Sequence, residues 1–154
     1  MNINFNKIFN TLYRLLFLAT PLIMFHKTSE LFEFNKMIFI YMITVLVLAV
    51  WFAKMVLYKK IIFRRTFMDV PLLLFLISMF LSTLFSIDRH TSFFGYYGRF
   101  NGGFLSICAY SILYFAFVSN IEFRKNGYLF VKKLLKISLI ASVVVMLWGL
   151  PSKF

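Results

Sequence analysis

Two stretches constrain this chain more than anything else in it. Met37 through Ala53 and Val70 through Ile87 contain no charged residue, and lysines and arginines cluster in the segment between them. A helix that crosses a bilayer needs roughly 20 predominantly apolar residues, because its backbone groups bond internally while its side chains meet lipid. Three further apolar runs complete the pattern. The sequence therefore predicts an all-α fold, a polytopic transmembrane helix bundle of about five spans, at residues 8–25, 37–53, 70–87, 104–119 and 137–150. They form a single transmembrane domain over 1–154.

Composition excludes the soluble alternative. Hydrophobic residues make up 62% of the chain and charged residues 14%, too few polar groups to cover a water-soluble core. A net charge of +12 would suggest nucleic acid in a soluble protein. Here the cations sit at the ends of apolar runs, which points to lipid headgroups and topology, with no nucleic-acid partner.

Orientation follows from the same cations. Lys7 and Arg14, five basic residues in 54–65 and five in 124–136 account for 12 of the 17 lysines and arginines. With the N-terminus cytoplasmic, these lie inside. Lys27, Lys36, Arg89, Arg99 and Lys153 then lie outside, as the positive-inside rule favours. The two inner connections read as basic loops.

The first run resembles a signal peptide in its basic start and short apolar centre. No small-residue cleavage site follows and Pro21 interrupts it, so it reads as a retained span with Arg14 snorkelling to the inner boundary. In 26–36, Glu30 and Glu33 alternate with Leu31, Phe32 and Phe34, a pattern for one amphipathic turn in the interface. Asp69 and Pro71 mark the start of the third helix. Trp51 and Trp148 mark interfaces. Cys108 is alone in an apolar run, so it builds neither a disulfide nor a metal site.

The segment Ser82–Gly103 is different in kind. Asp88, Arg89, His90, Arg99 and Asn101 crowd into it among Phe93, Phe94, Tyr96, Tyr97 and Phe100, with glycines at 95, 98, 102 and 103. It reads as an outer polar loop. An arginine fork suits phosphate oxygens, so Arg89 and Arg99 are candidates to contact a lipid-linked phosphate or an anionic sugar. Two structural readings stand beside this: an Asp88–Arg99 pair that closes the loop, or contacts with lipid headgroups. The aromatics read as interfacial anchors or as stacking surfaces for sugar rings. No nucleotide, phosphate-loop or metal motif is present, and Ser86, Ser92, Asp88 and His90 have no spacing that fixes a nucleophile against a base. No catalytic residue and no cofactor is assigned.

The pattern LSTLFSIDRHTSFFGYYGRFNGG, preceded by TSELFEFNKMIFIYMITVL, resembles the N-terminal part of bacterial O-antigen ligase and O-antigen polymerase-like membrane proteins. The matching elements are a serine–x–aspartate step (Ser86, Asp88), then Ser92, Gly95, Arg99 and Gly102 between two spans, and the Thr28–Glu33 segment upstream. The resemblance implies an integral glycosyltransferase of the bacterial inner membrane. Such a protein moves a glycan from an undecaprenyl-pyrophosphate carrier to an acceptor in cell-surface polysaccharide assembly, without nucleotide sugar or metal. It implies that Asp88, Ser92, Gly95 and Gly102 shape the loop and that Arg99 and Arg89 face the substrate. The family's catalytic histidine and partner arginines lie in a large periplasmic loop of the C-terminal half. This chain has no such loop, and His90 does not correspond to that histidine. The expectation is an N-terminal membrane portion whose partners are the bilayer, the lipid-linked glycan and the remaining portion of the enzyme. The competing expectation is a stand-alone, non-enzymatic multi-pass protein, an assembly partner or transport subunit.

Overall fold

The computed structural model describes residues 4–23, 33–121 and 127–149. Among these the chain is all-helical, with six helices and no strand. They are α1 (Phe5–Leu22), α2 (Glu33–Tyr58), α3 (Asp69–Leu84), α4 (Arg89–Phe94), α5 (Phe104–Asn120) and α6 (Tyr128–Gly149). Lys27, Glu30, Leu31, Phe32, Arg124, Lys125, Pro151 and Lys153 lie outside the described residues, as does most of the Thr28–Glu33 segment.

Helix starts follow local chemistry. The Asn4 side chain accepts from the Lys7 amide at 3.2 Å and caps α1. Glu33 sits in the first turn of α2, where a carboxylate suits the positive end of the helix dipole. At α3 the Asp69 carboxylate accepts from the Thr66 amide at 2.9 Å, and Pro71 occupies the first turn as expected.

α2 spans 26 residues, about 39 Å at 1.5 Å per residue. It is the one helix among the described residues long and apolar enough to cross a membrane; α3 and α5 are apolar but shorter. Two sequence expectations are corrected. The second basic loop is largely helix, because α6 begins at Tyr128 and carries Lys132, Lys133 and Lys136. Lysine has a good helix propensity, so a fall in hydropathy did not end the helix. The segment Ser82–Gly103 is not wholly loop either, since α4 forms inside it.

α1 packs on α2 and α6, α2 on α5, and α3 on α5. Phe9 and Val47 are fully buried in a core shared with Phe5, Tyr13, Ile43, Trp51, Leu113, Phe130 and Leu134. The face of α5 turned inward is mostly small: Ser106, Ala109, Ala116 and Asn120 recur at helical spacing around Leu113, and all five are buried. Small residues let two helix backbones approach closely, the packing used where lipid removes the drive to bury large apolar groups.

The two ends of the bundle differ. At one end, Lys54 Nζ donates to Asn120 Oδ1 at 3.1 Å and to Asn6 Oδ1 at 3.4 Å. The connection after α2 folds back there. Trp51 Nε1 donates to the Ile62 carbonyl at 3.0 Å, and the Arg64 amide to Ser119 Oγ at 3.2 Å. The other end gathers the start of α2, the end of α3, α4 and the start of α5.

Candidate functional site

The site is the segment from Phe85 to Gly103, and its shape comes from a cap and a glycine closure. Asp88 has extended backbone and caps α4. One carboxylate oxygen accepts from the Thr91 amide at 3.2 Å and the other from the Thr91 hydroxyl at 2.5 Å. Those bonds stabilise the ionised form, so the carboxyl is held below the ordinary aspartate range, the Thr91 hydroxyl contributing most. Ser92 Oγ donates to Ser86 Oγ at 2.6 Å, and Ser86 Oγ to the Asp88 carbonyl at 3.1 Å. The serine–x–aspartate step is thus a capping device that turns the chain from α3 into α4.

Gly95 ends α4 with φ 95°, a conformation open to glycine. A Cβ on Gly95 would meet the Asn101 carbonyl oxygen at 2.3 Å, and one on Gly103 would meet the Gly95 nitrogen at 2.2 Å. Backbone thus packs on backbone where the loop enters and leaves. The Tyr96 amide donates to the Asn101 carbonyl at 3.2 Å and closes the ring. Inside it, the Arg99 amide bonds the Tyr96 carbonyl at 3.0 Å, with Gly98 at φ 84° in the third position of the turn.

Tyrosines of two long helices hold this loop from below. Tyr41 of α2 donates its hydroxyl to the Phe100 carbonyl at 2.8 Å. Tyr110 of α5 lies 3.4 Å from Asn101 Oδ1, which also accepts from the Gly102 amide at 2.8 Å. Phe100 is wedged between Phe34 at 5.5 Å and Phe94 at 6.4 Å, and Phe93 stacks towards Phe104 at 6.0 Å. Most of the aromatics that sequence reading left between anchoring and sugar stacking are packed on one another. Tyr96 and Tyr97 stay exposed, at 67% and 87%.

Arg99 faces Glu33. Its Nε lies 3.7 Å from Glu33 Oε2, with both side chains about half exposed, and the guanidinium sits 5.7 Å from the centre of the Tyr96 ring. The Asp88–Arg99 pair, one of the two structural readings of the sequence, does not form: Asp88 bonds Thr91 and Arg99 faces Glu33. Arg89 is exposed at the first turn of α4, one residue after the Asp88 cap. His90 stacks on Phe94 at 4.9 Å.

The structure therefore places Asp88, Ser92, Gly95 and Arg99 in one folded unit, with Gly102 in its closing turn, and leaves Arg89 on its outer edge. Sequence reading missed Tyr41, Tyr110 and Glu33 as parts of this unit. The signal was present: each is a polar group within or beside an otherwise apolar run. No group of three metal-ligating side chains occurs among the described residues. Chemically, the site offers a half-exposed guanidinium that faces the Glu33 carboxylate, on a glycine-closed loop beside an exposed aromatic ring.

Compared with known proteins, the chain matches no family model, no curated relative and no solved structure.

Proposed function

We propose that the chain is a polytopic membrane bundle, the N-terminal membrane portion of an O-antigen ligase-like glycosyltransferase, seated in the bacterial inner membrane. Its outer loop would hold the phosphate of an undecaprenyl-pyrophosphate-linked glycan at Arg99. The membrane part of this reading is supported by α3. Leu73, Leu74, Phe75, Ile77, Phe80 and Leu81 are all about half exposed, while Thr83 is its buried residue. Large apolar groups outside and small or polar groups inside favour lipid as the solvent.

The recognition part rests on one observation. Arg99 is held half exposed on a loop closed by glycine contacts, beside the exposed faces of Tyr96 and Tyr97. A planar fork with a fixed backbone orients phosphate oxygens, and an aromatic face accepts a sugar ring. Glycan transfer breaks the sugar–pyrophosphate bond and forms one to the acceptor, which needs a base for the acceptor proton and further preorganised cations for the leaving pyrophosphate; this reading assigns those groups to the rest of the enzyme. The Glu33 contact favours a second reading, in which Arg99 is a clasp between loop and α2 in a non-enzymatic membrane protein.

A photoreactive phenylalanine analogue at Tyr97, in chain reconstituted with an undecaprenyl-pyrophosphate glycan, separates the two. Crosslinking to the lipid-linked glycan, lost in Arg99→Gln, supports recognition. Absence of crosslinking in the parent chain, or crosslinking untouched by Arg99→Gln, leaves the clasp.

A further inference from the structure

The basic end of the bundle carries a second arrangement. Arg14 of α1 and Lys133 and Lys136 of α6 line one cleft of about 310 Å³, walled also by Ile137. Sequence reading put Arg14 at the inner boundary of the first span and the lysines in a separate basic loop. Because α6 begins early and packs on α1, the structure brings them together. The Arg14 guanidinium is oriented over the Phe130 ring at 5.8 Å. The carboxylates of the described residues are committed elsewhere: Glu33 to Arg99, Asp69 to Thr66, Asp88 to Thr91.

Beyond the cations both helices turn apolar on the same faces. Phe17 and Leu18 follow Arg14 at three and four residues, and Leu139, Ile140 and Val143 follow Lys136 at three, four and seven. All five are exposed, from 37% for Phe17 to 66% for Leu139. The cleft is walled mainly by aliphatic stems whose cationic heads belong to the three residues around it, and exposed apolar helix surface lies beyond, an arrangement that matches a molecule with an anionic head and acyl tails.

We propose that the Arg14–Lys133–Lys136 cleft is a binding site for the phosphate headgroup of an anionic phospholipid, its acyl chains lying along α1 and α6. Cations near a membrane surface each add attraction for anionic lipid, and the lysine stems can run along apolar surface while their heads reach the phosphate. The proposal goes beyond the outer loop and rests on the membrane reading alone.

The test is native mass spectrometry of the purified full chain in detergent, offered phosphatidylglycerol or phosphatidylcholine with matched acyl chains. Retention of phosphatidylglycerol is expected to exceed that of phosphatidylcholine and to fall about tenfold in Lys133→Gln/Lys136→Gln. Lys132→Gln, which removes one charge at a residue that does not line the cleft, is expected to retain it, whereas Lys133→Gln or Lys136→Gln alone, the matched single-charge changes, should each lower retention. Lys133→Arg/Lys136→Arg keeps the charge, and its retention guards against loss through misfolding. Equal loss in Lys132→Gln, loss in the double arginine variant, or displacement by millimolar inorganic phosphate would overturn the site. Equal retention of both lipids defeats the headgroup site but leaves the membrane reading standing, whereas retention of neither defeats the membrane reading itself.

Discussion

Glu33 opens α2 and Arg99 hangs from the glycine loop, yet the two meet with Nε and Oε2 3.7 Å apart at the same end of the bundle. Neighbouring contacts make the meeting specific. Phe34 packs on Phe100 and the Tyr41 hydroxyl bonds the Phe100 carbonyl, so the first three turns of α2 hold the loop at the residue next to Arg99.

The pair itself should contribute little to stability. Both side chains are about half exposed, and exposed ion pairs contribute at most about 1 kcal/mol after screening. Glu33→Gln is therefore expected to leave thermal unfolding in detergent nearly unchanged. If Arg99 holds a phosphate as proposed, Arg99→Lys, which keeps the charge and loses the fork, should lower retention of a lipid-linked glycan about tenfold with unfolding unaffected. If Arg99→Lys and Glu33→Gln instead lower stability strongly and non-additively, the pair is a structural clasp.

Glycine substitutions distinguish closure from mere flexibility. Gly95→Ala places a methyl group 2.3 Å from a backbone oxygen at φ 95°, a strain of about 3 kcal/mol or more. Gly102 has φ 79° but open space around its Cβ position, so Gly102→Ala should cost only about 1 kcal/mol. Hydrogen exchange of the Tyr96 amide, which bonds the Asn101 carbonyl, reads the difference directly. Equal acceleration in both variants would show that backbone contact at Gly95 does not close the loop.

Acid should loosen α4 before the rest. The Asp88 carboxyl is held below its ordinary value of roughly 3.9 by the Thr91 hydroxyl and amide. A depressed value in the folded state means the cap is fully effective above about pH 4 and is lost as pH falls through the lowered folded value. Thr91 amide exchange followed from pH 6 downward should rise only in that acid window. Asp88→Asn should abolish the pH dependence; an unchanged acid rise in that variant would assign it to another group.

Topology is open to a two-position test. With Cys108 replaced by alanine, Tyr97→Cys should react with a membrane-impermeant maleimide on intact cells, and Lys60→Cys only after permeabilisation. Both side chains are exposed, so neither result can be attributed to burial. The reverse pattern would invert the orientation inferred from the basic residues.

Much of the helical framework was legible because it rests on local chemistry. Runs free of charge predict apolar helices, Asp69 and Pro71 mark a start, and the glycines at 95, 98, 102 and 103 announce a segment that bends. α4 was missed because six residues carry no periodicity; its sole local sign was Asp88 ahead of Thr91, a cap pattern hidden among functional candidates. The early start of α6 was missed because hydropathy reports where lipid is tolerated, not where backbone hydrogen bonds begin.

What the sequence determined by itself is the all-helical character, the apolar runs and the identity of the groups crowded between Ser82 and Gly103. What only the tertiary structure decided is their pairing. Arg99 faces Glu33 rather than Asp88, Tyr41 reaches Phe100, and Arg14 shares a cleft with Lys133 and Lys136. The physical reason is range. Propensity, capping and hydropathy act within a few residues. Which charge meets which across the bundle depends on how α2 packs on α5 and α1 on α6, a choice made by the small inward face of α5 and the shared aromatic core.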